Sequence, residues 1–211
     1  MLFECRGEKL KLLPQKAIWW EKQEMLILAD LHLGKANHFQ SAGIAISNEV
    51  EDSDLRTLAS LFQQFKPKTC LVVGDFFHST QNKSIDKFAQ FFRAYQFDFL
   101  VVPGNHDRFV TQHVKLNEII QFTKAQYHVG PFCFSHDPTQ TQSDLYVIGG
   151  HVHPAVKLKG FGKQSMKLPC FYFGNRFAIL PAFSKFTGTY VILPQKEDQI
   201  VVVAQDQLIR V

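Results

Sequence analysis

Apolar runs that fill both faces of a strand recur along this chain, and each ends abruptly in a polar or metal-ligating side chain. Leu26-Ile27-Leu28-Ala29 runs into Asp30-Leu31-His32. Leu71-Val72-Val73 runs into Gly74-Asp75, and Leu100-Val101-Val102 into Pro103-Gly104-Asn105-His106-Asp107. Leu145-Tyr146-Val147-Ile148 precedes Gly149-Gly150-His151-Val152-His153, and the shorter Phe132-Cys133-Phe134-Ser135 ends at His136. Unbroken apolar runs of this kind predict strands buried on both faces. Ligands of open α/β sheets bind at the C-terminal strand ends, so the pattern predicts a site assembled from several strands.

Between these runs the period becomes helical. Leu55, Leu58, Leu61, Phe62 and Phe65 recur at spacings of three and four, which predicts a helix over 53–65, capped by Asp52 or Ser53 and stopped by Pro67. A second helix is predicted over 84–96, with Ile85, Phe88, Phe91, Phe92 and Tyr95 as its buried stripe. Residues 17–20 and 25–29 read as a β-hairpin around a polar turn. Residues 34–51 have a weak period and read as a loop or short helix beside the site, with Lys35, Asn37, His38 and Gln40 near a substrate. Residues 108–121 read as partly helical. Further strands are predicted at 127–129, 171–173, 178–180, 190–193, 200–203 and 208–210. A βαβα first half and a mostly β second half, with no dividing linker, predict one α/β domain over residues 1–211.

With 211 residues, 45% of them hydrophobic, the chain can bury one sizeable core. The formal charge of +4 and a pI near 8.8 suit a polyanionic partner, although no run of five or more Lys or Arg forms a basic tail. Most of the 21 Phe residues read as core, and any exposed near the site could stack on bases. Cys5, Cys70, Cys133 and Cys170 form no C-x-x-C pair, which argues against a Cys-rich zinc site and for reduced, structural thiols. No N-terminal signal pattern or membrane-spanning apolar run is visible, so a cytoplasmic location is expected. The motif G-x-x-x-x-G-K-[ST] is absent, which argues against a P-loop.

Carboxylates and imidazoles together suit Mn²⁺, Fe²⁺ or Zn²⁺. Asp30-x-His32, Gly74-Asp75, Gly104-Asn105-His106-Asp107, His136 and Gly150-His151-x-His153 resemble, in order, the five blocks of the calcineurin-like metallophosphoesterases. More narrowly, Leu28-Ala29-Asp30-Leu31-His32-Leu33-Gly34-Lys35, Gly74-Asp75-Phe76-Phe77-His78-Ser79, Leu180-Pro181-Ala182-Phe183 and Phe186-Thr187-Gly188 resemble the bacterial DNA-ligase-associated members. The resemblance implies a four-layer sandwich of two facing mixed β-sheets flanked by helices. It implies two divalent cations, Mn²⁺ first among Zn²⁺, Fe²⁺ and Mg²⁺. Asp30, His32, Asp75 and His153 would hold one, and Asp75, Asn105, His136 and His151 the other, with Asp75 bridging. A water held between the cations would attack phosphorus in line.

In the same family frame, His106 would protonate or stabilise the leaving oxygen. Asp107 would either orient His106 or cap the turn. His151 and His153 lie two apart, so in an ideal strand they share a face and can serve one metal each. His128 also ends an apolar segment, but Ser135-His136-Asp137-Pro138 fits the family position better. His78 reads as supporting the ligands rather than joining them.

The ligand set implies phosphoester hydrolysis without separating monoesters from diesters. The narrower resemblance implies a nuclease or phosphodiesterase linked to DNA repair, associated with an ATP-dependent DNA ligase and a helicase or exonuclease. Substrate-binding candidates are Lys35, Arg108, Arg176 and Lys185, with Lys159, Lys163, Phe183 and Phe186 along the same nucleic-acid path. One alternative is a small-molecule phosphatase or cyclic-nucleotide phosphodiesterase with the same metals. Another is a non-catalytic scaffold, whose mark would be missing ligands or a replaced His106; every matched position is present here.

Overall fold

The three apolar runs of the first half become neighbouring parallel strands. In the computed structural model, which describes residues 1–41, 43, 49–78, 85–107, 118–159 and 164–211, the first sheet has seven strands in chain order. They are β1 (Leu2–Cys5), β2 (Glu8–Leu13), β3 (Ala17–Trp20), β4 (Met25–Ala29), β5 (Thr69–Val73), β6 (Asp98–Val102) and β7 (Gln121–Phe122). Pairing is antiparallel from β1 to β4 and parallel from β4 to β7.

Side-chain alternation in the parallel strands feeds two cores. Leu26, Leu28, Cys70, Val72, Phe99 and Val101 face a helical layer. That layer includes α2 (Glu49–Phe65) and α3 (Ile85–Arg93), which contribute Leu55, Leu58, Leu61, Phe62, Ile85, Phe88 and Phe92. Ile27, Ala29, Leu71, Val73 and Val102 face the other way, toward the second sheet. Both faces of each strand are thus buried, as the unbroken apolar runs require.

The second sheet contains β8 (Gln126–Val129), β9 (Phe132–Ser135), β10 (Tyr146–Gly149), β11 (Pro154–Lys159), β12 (Ser165–Phe173), β13 (Phe177–Ile179), β14 (Tyr190–Val191), β15 (Gln199–Ala204) and β16 (Gln207–Arg210). Its order is β14-β11-β12-β13-β10-β9-β8, with β15 paired to β12 and β16 to β15. It is mixed: β9, β10 and β13 run parallel, as do β11 and β14. Phe132, Phe134, Ile148, Phe171, Ala178 and Val201 pack from it against the first sheet. The architecture is an α/β sandwich of two mixed sheets.

Several elements depart from the pattern reading. α2 begins at Glu49, not 53, because Glu49, Glu51 and Asp52 place acidic groups in its first turn, where the helix dipole favours them. The hairpin β1–β2 was not anticipated, although Phe3, Cys5, Leu10 and Leu12 alternate inward and Arg6 and Gly7 both take positive φ (51° and 78°) at its turn. The β11–β12 hairpin was likewise read only at its C-terminal end. A short helix, α1 (Lys35–Ser41), lies in the segment 34–51, whose weak period is compatible with a loop or a short helix. The expectation for 108–121 falls mainly outside the described residues. All four cysteines are buried and unpaired, and no described helix is long and apolar enough to cross a membrane.

Both sheets lead to one end of the sandwich. The β4, β5, β6, β9 and β10 C-termini meet there, and the chain stitches across them. Phe183 N–H donates to Ala29 C=O at 2.8 Å, Leu180 N–H to Gly149 C=O at 2.7 Å, and His151 N–H to Asp30 Oδ2 at 2.9 Å.

Candidate metal centre

Six of the seven expected ligands converge at this end, in two groups. Asp30, His32 and His153 form one, and Asp75, His136 and His151 the other; within each, one ligand atom per residue lies within 4.8 Å of the others. In the first, His32 Nε2 is 3.3 Å from His153 Nε2, which is 3.6 Å from Asp30 Oδ2. In the second, His136 Nε2 is 2.9 Å from His151 Nδ1 and 3.5 Å from Asp75 Oδ2. Donors about 2.1 Å from one cation and 90–110° apart sit roughly 3.0–3.5 Å from each other, so this spacing suits a shared ion. Asp75 Oδ2 is also 4.0 Å from His32 Nε2, which places it between the groups.

The backbone is bent to bring these side chains in. Among the described residues ten non-glycine positions have positive φ, and five are here: Asp30 (53°), His32 (48°), Asp75 (36°), His151 (64°) and His153 (51°). Such a conformation costs of order 1–3 kcal/mol per residue and persists where the surroundings impose it. His151 and His153 therefore do not share a strand face as expected. They lie in the bend between β10 and β11, and two left-handed residues send them to different groups. Two glycines give the ligands room. A Cβ on Gly74 (φ +80°) would lie 1.8 Å from His136 Nδ1, and one on Gly150 would lie 2.2 Å from Asp30 Oδ2.

The electrostatics call for a cation. Burial pushes the His32 imidazole down to about 2 and that of His153 to about 4, and it also lowers His136. Burial, with Asp75 beside it, holds the Asp30 carboxyl well above the usual carboxylate range. Neutral imidazoles are the protonation state a metal takes, and a cation would offset the burial and the mutual repulsion that disfavour charge on Asp30 beside Asp75. Asp30 Oδ1, His32 Nδ1 and His136 Nδ1 are buried with no hydrogen-bond partner. His153 Nδ1 faces Gly188 C=O at 3.2 Å, so the carbonyl takes that N–H and leaves the Nε2 lone pair for the site. The donor set fits divalent cations.

Around the groups, His106 donates its backbone N–H to Asp75 Oδ1 at 3.0 Å. Its ring is 5.7 Å from His32 and stacked 4.7 Å from His78, so both histidines line the cluster. Asn105 lies in the same turn and is exposed. Asp107 is fully buried and accepts N–H groups from Phe76 (3.0 Å), Phe77 (2.9 Å) and Gly104 (2.9 Å). Of its two expected roles the bonds support the loop cap; no hydrogen bond to the His106 ring supports the orienting role. Burial raises its carboxyl to about 6 against those three donors. His128 sits exposed on β8, opposite Cys133 and away from either group.

The substrate candidates divide. Lys35 opens α1 directly after the first ligands, and its Nζ is 5.8 Å from the Phe186 ring. Lys185 is exposed, its Nζ 2.8 Å from Ser53 Oγ. Arg176 corrects the expectation: its C=O accepts Val147 N–H near the start of β10, and the parallel strands β10 and β13 carry it to the end of the sheet opposite the cluster. Phe183 is core, not surface. Arg108, Lys163 and the Lys159 side chain lie outside the described residues. Phe39 was not anticipated, since the period of 34–51 gave no face to place it on.

A calcineurin-like phosphoesterase family model matches residues 25–203. The crystal structure of the nuclease MPE of Pseudomonas putida is similar over 99% of both chains, at 28% identity and a TM-score of 0.84. A protein of unknown function from Aquifex aeolicus (20% identity, 61% of this chain and 78% of that one, TM-score 0.44) and the E. coli phosphoesterase Yfce (13%, 89% and 97%, TM-score 0.44) resemble it more loosely. Curated protein sequences give no match. With the family model spanning most of the sequence, the chain belongs to the calcineurin-like phosphoesterases and is a metal-dependent phosphoesterase.

Proposed function

We propose that the protein is a dinuclear metal-dependent phosphodiesterase acting on DNA. The observation that carries this reading is Asp75 Oδ2, set between two three-residue ligand groups in a chain whose whole length is similar to a nuclease. Asp30, His32, Asp75 and His153 would hold one cation, and Asp75, Asn105, His136 and His151 the other. When bound, two such cations polarise phosphoryl oxygens and bring a water's pKa toward neutrality.

The chain's own residues supply the rest. His106, held through its backbone to Asp75, presents its ring at the mouth of the cluster, where it would give a proton to the leaving oxygen. Asp107 fixes the loops carrying Asp75 and His106 by capping Phe76, Phe77 and Gly104. Lys35, half-buried beside the first group, would attract the phosphodiester. A role in DNA repair and association with an ATP-dependent ligase and a helicase or exonuclease follow from the narrower resemblance, as does Mn²⁺ as the metal.

The test is hydrolysis of plasmid DNA, single-stranded oligonucleotides, a chromogenic diester and nucleotide monoesters, with Mn²⁺, Mg²⁺ or Zn²⁺ added singly. DNA and diester cleavage dependent on added metal is expected. Efficient turnover of a monoester with no DNA cleavage under any metal would replace this reading with a small-molecule phosphatase.

A further inference from the structure

A row of rings leads outward from the first ligand group. His32 and His78 lie 5.6 Å apart, His78 and Phe39 6.5 Å apart with nearly parallel planes, and Phe39 meets Phe186 edge to face at 5.5 Å. Phe39 and Phe186 are each only half-buried, unlike the core phenylalanines beneath them. The Lys35 ammonium stands 5.8 Å from the Phe186 ring.

Both supports of this row are tied to metal-ligand residues. α1 carries Lys35 and Phe39, and Lys35 N–H donates to His32 C=O at 3.3 Å. Phe186 sits in the turn whose Ser184 N–H donates to Asp30 C=O at 3.4 Å and whose Gly188 C=O meets His153 Nδ1. Ser184 Oγ accepts Phe186 N–H at 3.1 Å and closes that turn. The rings are therefore fixed relative to the reacting centre.

Partly exposed aromatic faces with a cation beside them match a nucleobase attached to a phosphate. Every base has a π-face, so such a surface favours nucleotides without reading their sequence.

Building on the phosphodiesterase reading, we propose that Phe39 and Phe186, with Lys35, form a subsite for the nucleobase adjacent to the scissile phosphodiester. The subsite makes the enzyme prefer nucleotide esters over simple alkyl esters carrying the same leaving group.

Three p-nitrophenyl diesters test this in the Mn²⁺-loaded protein: thymidine 5′-p-nitrophenyl phosphate, its base-less 1,2-dideoxyribose counterpart, and methyl p-nitrophenyl phosphate. Stacking is worth roughly a 5- to 100-fold advantage per base, so kcat/KM for the thymidine ester should exceed that for the base-less ester by about that factor. The ratio should fall toward one in Phe39→Leu and in Phe186→Leu. Equal rates on the thymidine and base-less esters in the wild type would overturn the subsite. So would variants that lose both rates together and keep the ratio, because that is what a purely structural role of the rings produces. Failure to hydrolyse any of the three diesters, the methyl ester included, would remove the phosphodiesterase reading itself and the subsite with it.

Discussion

Asp75 and His106 are joined by a single hydrogen bond: His106 N–H donates to Asp75 Oδ1 at 3.0 Å. That bond occupies one carboxylate oxygen and leaves Oδ2 facing His32 and His136, one from each ligand group. The same contact brings the His106 ring to the cluster. If that ring serves the leaving group and not the metals, His106→Ala should lower kcat on a diester by roughly 10²-fold or more while bound metal stays unchanged. Metal analysis alongside the kinetics separates the two roles. Lost metal would make His106 a ligand, and an unaltered rate would take it out of the mechanism.

Gly74 offers a test of His136 in the second group. Its φ of +80° and the 1.8 Å approach of a Cβ to His136 Nδ1 mean that Gly74→Ala must displace His136. The variant should bind one Mn²⁺ tightly and the other at least tenfold more weakly, since loss of ligand geometry costs about that much. Isothermal titration would show the second step weaken while the first persists. Two unaltered steps would mean that His136 is not needed for binding.

Asp107 should matter to stability. Three backbone N–H groups, two in the loop after β5 and one in the loop after β6, converge on its carboxylate. Removing a buried acceptor leaves each donor unsatisfied, at about 1–3 kcal/mol apiece. Asp107→Ala is expected to be destabilised by several kcal/mol in urea unfolding of the metal-free protein. A variant as stable as the wild type but slow in catalysis would restore the orienting role toward His106.

Much of the fold was legible because parallel strands announce themselves. The β4, β5, β6 and β10 runs are apolar on both faces, and the ligands follow them directly, so strand ends and site were read together. β1, β2 and β11 instead carry a two-residue alternation of apolar and charged side chains, a weaker signal over so few residues. The pairing of ligands into groups was carried by resemblance, because it depends on left-handed backbone at Asp30, His32, Asp75, His151 and His153, and no local pattern marks L-residues for that conformation. The spacing of His151 and His153 suggested a strand face, and the bend that separates them shows why spacing alone misled. Arg176 failed as a candidate for a related reason: charge is visible in sequence, but which end of a strand it occupies depends on sheet direction.

Catalysis as proposed requires two cations that share Asp75. Crystals grown with Mn²⁺ and measured at the manganese absorption edge test it most directly. The expected result is two anomalous peaks, one among Asp30, His32 and His153 and one among Asp75, His136 and His151, with Asp75 reaching both. A single peak, or a second ion outside the Asp75, His136 and His151 group, would contradict it.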